Sequence, residues 1–313
     1  MNKVEKKLDV LCLGAAVVDI PLRPVSREVF DIESYPVDNI AMAVGGDAMN
    51  ESTIISRLGC KTGLMAAIGD DAAGAFILRS CDEDNIDTEG VTIDPNLNTS
   101  INIGLVTEDG ERTFITVQGA ECHFKKEWFE QIDMDNYENI YIAGYQVCGK
   151  SGEIISQWLN TVENVEEKHI FFAPGPMITA IESETMENLF ALKPILHINE
   201  AEAKGYTQQE NVEEAVRALY EKSGNLVFVT LGAEGTLFYD GKEMRRVASV
   251  KTNVVDTVGA GDSHIGAIIA GMSKGMKVED AVLLANRTAA AIVGTSGPVM
   301  DLEEFQKISE EWE

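Results

Sequence analysis

The stretch Asp256-Thr257-Val258-Gly259-Ala260-Gly261-Asp262, running into Ser263 to Met272, decides how this chain is read. Gly259 and Gly261 lack side chains, so the backbone there can curl and turn N–H groups outward. The small apolar run behind them has the make-up of a buried helix. Outward amides at a helix N-terminus form an anion hole. A carboxylate beside a bound phosphate is repelled by it. Asp262 makes sense there if it accepts a proton from a hydroxyl that attacks the phosphate. The plain alternative is an Asp N-cap on a glycine-rich turn.

Working outward, Leu8-Asp9-Val10-Leu11-Cys12-Leu13-Gly14 is a short apolar run ending in glycine. It reads as a strand buried on both faces. Similar runs occupy 140–144, 170–173, 195–199 and 226–230, with amphipathic stretches of helical period over 152–162, 212–222 and 278–293. Strands alternating with helices imply βαβ units and a parallel sheet covered on both faces. Two segments break the rhythm. Residues 99–106 and 112–118 alternate apolar and polar around Glu108-Asp109-Gly110-Glu111, a hairpin signal. Residues 19–44 carry Pro21, Pro24 and Pro36 and are poorly helical. Together these insertions, about 15–48 and 98–120, are expected to form a small β subdomain on one edge of a single 1–313 body. The acidic tail 301–313 reads as a solvated terminal helix.

The 313 residues hold 25 Lys plus Arg against 52 Asp plus Glu, a net charge of −27. Hydrophobic residues are 45% and charged residues 25%, which excludes a disordered chain. Such acidity excludes nucleic acid and anionic membrane as main partners, since both want a basic surface. No apolar stretch reaches the ~18 residues that span a bilayer. No signal peptide is readable in 1–9. Cys12, Cys60, Cys81, Cys122 and Cys148 are odd in number and have no C-x-x-C spacing. They read as small buried hydrophobes in a reducing cytoplasm rather than a disulfide or zinc framework.

A second glycine segment, Gly45-Gly46-Asp47-Ala48-Met49-Asn50, leads into another helix. Paired glycines let a ligand approach the backbone, and Asp47 and Asn50 offer groups suited to hydroxyls. A glycine turn with Asn50 as helix cap is the alternative. About 200 residues apart, the two glycine segments resemble the two signature motifs of the ribokinase-like (PfkB) carbohydrate kinases. Further segments extend the resemblance in the family's order: Gly14-x4-Asp19, Ile68-Gly69-Asp70-Asp71-Ala72-Ala73-Gly74, Asn199-Glu200-Ala201-Glu202, Thr230-Leu231-Gly232-Ala233-Glu234-Gly235, and the helix around Asn286. The matches run from about residue 8 to 300.

The resemblance implies a Rossmann-like three-layer αβα body with a β-sheet lid, and ATP-dependent phosphorylation of a sugar hydroxyl. It implies that Asp262 is the catalytic base, with Gly259, Ala260 and Gly261 forming the anion hole. It places Asp19, Gly45, Gly46 and Asn50 at the sugar, with Asp47 on the same wall. It sets Asn199 near the phosphates and Glu202 on Mg²⁺ through water. Thr230, Gly232, Gly235 and Asn286 would border the nucleotide. Family members often respond to a monovalent cation such as K⁺ near the loop that matches Asp256. For Asn199 and Glu202 the plain alternative is a strand end and a first-turn acid that stabilise the helix dipole.

Some positions depart from the pattern. His264 follows the catalytic Asp where Phe is usual, and reads as a packed residue. Ala173 stands where relatives often carry Asp. Asp47 replaces the Lys of ribokinases proper, which puts ribose in doubt. The sugar-side segments contain no Lys or Arg, which points to a neutral, unphosphorylated sugar or polyol. An apolar face between Ile101 and Val117 points to a homodimer with lids packed together. Two other readings stay open. One is a nucleoside kinase of the same fold, with Phe30 and Tyr35 as the only aromatic platform in 19–44. The other is a non-catalytic sugar sensor, against which an intact Asp262 argues. A dinucleotide-binding oxidoreductase fails, because no G-x-G-x-x-G follows the first strand.

Overall fold

The computed structural model describes residues 7–109, 111–295, 297 and 299–309. Its main sheet has eight strands in the order Met244–Val247, Thr236–Tyr239, Val227–Thr230, Ile195–Asn199, His169–Ala173, Tyr137–Ala143, Leu8–Leu13 and Thr62–Met65. From Thr62–Met65 to Val227–Thr230 every neighbour is parallel. The last two pairings are antiparallel, so the sheet is mixed rather than parallel throughout. The reason is chain length. Residues 231–235 form a tight turn closed by Leu231 N–H to Gly235 O at 2.8 Å. A parallel return needs a crossover of roughly a dozen residues or more.

The strands bury both faces, as their continuous apolar runs require. In Leu8–Leu13, Val10 and Cys12 join one core cluster while Leu11 and Leu13 join the other. In Tyr137–Ala143, Tyr141 and Ala143 face the first cluster, and Ile140 and Ile142 the second. The first face carries the helices Asp47–Arg57, Ala72–Glu83, Ala260–Ser273 and Val278–Val293. The second carries Gly149–Leu159, Ser183–Ala191, Glu200–Thr207 and Val212–Ser223. This is a three-layer αβα body. The terminal helix Leu302–Ser309 is less solvated than its acidity suggests, because Phe305 is fully buried in the first cluster. Residues 310–313 and 1–6 lie outside the described residues. Two cysteines also depart from expectation: Cys122 is exposed and Cys148 half-buried, while all five thiols are free.

A second sheet takes Val17–Arg23, Asn39–Ile40, Ala43–Gly45, Ile101–Val106 and Arg112–Val117. Ile101–Val106 and Arg112–Val117 pair antiparallel around the expected turn, whose Gly110 lies outside the described residues. Val17–Arg23 follows Leu8–Leu13 after three residues, so the sheet is rooted where the first strand ends. Its outer strand leaves Phe114, Ile115 and Val117 about half exposed, at 54%, 48% and 49%.

Candidate active site

Two helix N-termini meet at the carboxyl ends of the central strands, the usual place for a ligand in an open α/β sheet. One is that of Ala260–Ser273. Gly259 is its N-cap at φ 76°, a left-handed conformation that a glycine takes without a Cβ penalty. A Cβ added at Gly261 would meet no protein atom within 4 Å, so packing does not demand that glycine. The open space beside it belongs to a cavity that Gly261 lines. Gly261 N–H has no partner among the described residues. Ala260 N–H is already turned to Thr257 O in a long bond of 3.3 Å, so the two amides are not equivalent. Asp262 is half-buried on the first turn, and burial raises its carboxyl above the usual range.

The other N-terminus is that of Asp47–Arg57. Asn50 Nδ2 donates to Asp262 Oδ2 at 2.7 Å, across 212 residues of sequence. Asn50 is therefore no helix cap; it orients the Asp262 carboxyl. Asp47 Oδ1 accepts from Ala15 N–H and Ala48 N–H, both at 2.9 Å. Burial, partly offset by these bonds, pushes its carboxyl up to about 7. One turn on, Glu51 is 1% exposed and its Oε1 accepts from the Tyr141 hydroxyl at 2.8 Å. Burial first, then the nearby Asp262 and Asp47, hold Glu51 well above the carboxylate range. Asp19 reaches the same region from the second sheet. Its Oδ1 accepts from Asn102 Nδ2 at 2.9 Å, and a Cβ on Gly45 would lie 2.1 Å from its Oδ2. Gly45 is thus required by the close approach of Asp19. Gly46, the N-cap of this helix, would meet Ala15 O in the same way.

Two cavities flank Asp262. The larger, about 870 Å³, is lined by Thr230, Gly232, Gly235, Thr236, His264 and Asn286, with the loop residues 249–254 closing it. The smaller, about 170 Å³, is lined by Asp47, Glu51, Asn199, Glu202 and Asp262, with Pro174-Gly175-Pro176 opposite. Thr230 and Gly261 line both. Ala173 borders the smaller one, so no carboxylate is supplied from that strand end. Asn199 and Glu202 form a full capping box: Asn199 Oδ1 accepts from Glu202 N–H at 2.9 Å, and Glu202 Oε2 from Asn199 N–H at 3.1 Å. Burial still raises the Glu202 carboxyl. Asp256 lies off both cavities. Its two oxygens accept from Val258 N–H and Gly297 N–H, each at 3.0 Å, which ties the loop down. Asp71 does the same for its helix, accepting from Gly74 N–H and Thr99 N–H at 2.8 Å.

His264 is more than packed. Its Nδ1 lies 2.9 Å from His197 Nε2, and its Nε2 lies 2.8 Å from Thr236 Oγ1 and 3.1 Å from Asn286 Oδ1. Asn286 Nδ2 donates to Val247 O and Ala248 O, which fixes Oδ1 as the acceptor. Hence His264 carries its proton on Nε2, and His197 donates from Nε2 to His264 Nδ1. Burial depresses both imidazoles, His264 to about 4 and His197 well below its ordinary value, so both are neutral. This chain joins a wall of the larger cavity to His197 on the smaller one.

A paired-glycine helix start, an acid on a second glycine-rich helix start and a roomy cavity behind it form one ordered set. Residues 7–304 match the model of the pfkB family carbohydrate kinases. The chain belongs to that family. It is 28% identical over 305 residues to the uncharacterised sugar kinase YegV of Escherichia coli (strain K12), covering 95% of this chain and 92% of that one. The structure of adenosine kinase from Sinorhizobium meliloti superposes with a TM-score of 0.81 at 23% identity, covering 97% of this chain and 99% of that one. A putative ribokinase II from E. coli, in complex with ATP and Mg²⁺, gives 0.79 at 20% identity, covering 97% and 99%. At such identities these structures show the shared fold. The protein is thus a carbohydrate kinase of the ribokinase-like fold, using ATP to phosphorylate a sugar.

Glu51, Tyr141 and the His197–His264 pair of this kinase were not singled out by motif. A signal for Glu51 did exist. It stands four residues after Asp47 in a helix whose residues 48–55 are all buried, where an acid is out of place. His197 gives no such signal, because it meets His264 only through the fold.

Proposed function

We propose that this kinase transfers the γ-phosphoryl group of ATP to a hydroxyl of a small neutral sugar or polyol, with Asp262 as general base. The Asn50–Asp262 hydrogen bond of 2.7 Å carries this reading. It aims one carboxyl oxygen and leaves the other for the acceptor hydroxyl. The raised Asp262 pKa suits a group that must take a proton near neutral pH. The Gly261 amide and the helix dipole would stabilise the charge that develops on the transferring group, with Ala260 N–H joining if it leaves Thr257 O. Gly259 holds the turn in the conformation that presents these amides.

The larger cavity has the size for a nucleotide, and Thr230, Gly232, Gly235 and Asn286 are its proposed contacts. Among the described residues no three His, Cys, Asp or Glu side chains are grouped to hold a metal ion. That suits Mg²⁺ that arrives on phosphate oxygens and keeps its waters. Glu202 is the residue proposed to meet such a water, with Asn199 holding it through the capping box. When bound, Mg²⁺ would neutralise phosphate charge. Asp256 is proposed to hold the loop where K⁺ or a similar cation could act.

Asp19, Gly45, Gly46, Asp47 and Asn50 are the proposed sugar wall. Neither Lys nor Arg lines the smaller cavity, which supports an uncharged acceptor. The second sheet, over residues 15–48 and 98–120, is proposed as the lid that excludes water during transfer. Its half-exposed Phe114, Ile115 and Val117 support pairing of two lids in a homodimer. A nucleoside acceptor has less support. Phe30 is 81% exposed, and the Tyr35 hydroxyl is tied to Ser26. Five free thiols suit a reducing cytoplasm. The test is ADP release with MgATP across ketoses, aldoses, polyols, sugar acids, sugar phosphates and nucleosides. A neutral sugar or polyol should give the highest kcat/KM. A sugar phosphate in first place would overturn the acceptor class.

A further inference from the structure

Asp47 and Glu51 repeat one arrangement four residues apart, on the same face of one helix. In each carboxyl one oxygen is satisfied by the protein: Asp47 Oδ1 by two amides, Glu51 Oε1 by the Tyr141 hydroxyl. In each the other oxygen, Asp47 Oδ2 and Glu51 Oε2, is buried and has no partner among the described residues. Both residues line the cavity beside Asp262. Leaving a buried carboxyl oxygen unpaired is costly, and a buried acid in a helix is costlier than the apolar residue it displaces. Such groups persist where a ligand supplies the missing partner. While these oxygens stay unpaired, burial favours the neutral acid at both positions; a ligand hydroxyl that donates to them favours the carboxylate instead. Glu202 and Asp262 stand on the same cavity, which repels an acceptor carrying its own carboxylate or phosphate there.

We propose that Glu51 determines acceptor specificity in this kinase, its Oε2 accepting a hydroxyl of the sugar while Asp47 Oδ2 accepts a second. The end of the acceptor that enters this cavity therefore presents two hydroxyl donors and no anionic group. This rests on the kinase reading above and adds a residue and a hydroxyl pair to it. Glu51 does not touch the reacting hydroxyl, so it governs binding more than chemistry.

Glu51→Gln is the direct test. Its carbonyl can keep the Tyr141 bond, which turns its NH₂ toward the sugar hydroxyl and sets donor against donor. Steady-state ADP release is measured with MgATP and D-fructose, D-ribose, D-mannitol, D-gluconate and D-fructose 6-phosphate, alongside thermal melts. Loss of such a hydrogen bond corresponds to a KM rise of roughly 10- to 100-fold on the best neutral acceptor. kcat should stay within about threefold, and the melting temperature should not fall. Removing the responsible hydroxyl from the acceptor should cost wild type about as much as the mutation does, and cost Glu51→Gln little more. Tyr141→Phe keeps the carboxyl but frees it from its anchor, and should raise KM several-fold with kcat retained. It serves as the second variant if Glu51→Gln is poorly folded. Unchanged KM in both variants, or a KM rise only in proportion to lost stability, would make Glu51 structural and overturn the proposal. A wild-type enzyme with no acceptor-dependent ADP release on the neutral probes would instead sink the neutral-acceptor reading and this inference with it.

Discussion

Replacing Asp47 by Asn should make the protein more stable, and more so at high pH. Asn keeps Oδ1, so the bonds from Ala15 N–H and Ala48 N–H survive. What disappears is the cost of ionising a buried carboxyl. Burial lifts Asp47 from 3.8 to about 7. A folded pKa above the unfolded one means that the folded state holds the proton more tightly. The penalty is absent below pH ~4, grows as pH rises, and is complete above the folded value. Three pK units at 1.36 kcal/mol each set a ceiling of about 4 kcal/mol. Asp47 keeps partial contact with solvent, so about half that is expected: ~2 kcal/mol at pH 8 and ~1 kcal/mol at pH 5.5. Urea unfolding at the two pH values measures this, above the sequence pI of about 4.4. The same variant should bind its acceptor more weakly, the usual exchange of stability for function. An Asp47→Asn variant less stable than wild type at pH 8 would refute the picture of a strained, ligand-seeking carboxyl.

Two further outcomes follow from the same structure. Light scattering at micromolar concentration should give twice the 34.1 kDa chain mass, and a clean monomer would remove the lid-to-lid dimer. His264→Phe introduces the residue usual at that position but strands His197 Nε2, although Thr236 Oγ1 still donates to Asn286 Oδ1 at 2.9 Å. It should cost about 2 kcal/mol, lower Tm by roughly 4–8 °C and raise KM for ATP; an unchanged Tm would mean that the histidine chain holds nothing.

Most of the fold was legible because its elements are locally encoded. The apolar runs at 8–13 and 226–230 have no reading except strands buried on both faces, and the glycine segments mark where helices begin. The antiparallel edge is encoded in loop length rather than in the apolar runs, since residues 231–235 are too few for a crossover. The tail helix reads as solvated because its charge hides one buried ring, Phe305. The candidate site was legible only as separate motifs. That Asn50 holds Asp262, 212 residues away, is a fact of the fold rather than of either motif. The same is true of His197 and His264, 67 residues apart, and of Glu51, whose meaning depends on the cavity it faces.

The central claim is that Asp262 takes the proton of the acceptor hydroxyl, and its most direct test is kcat of Asp262→Asn with a confirmed acceptor. Asn keeps the size of the side chain, so fold and ATP binding should survive. General-base loss lowers kcat by roughly 10²- to 10⁴-fold, about 3 to 5 kcal/mol in the barrier at 1.36 kcal/mol per decade. ATP affinity should hold or improve, since a negative charge beside the γ-phosphate is gone. Asp256→Asn, which only loosens the loop, should cost less. A near wild-type kcat in Asp262→Asn would contradict the assignment and leave the residue as a first-turn acid that stabilises the helix dipole.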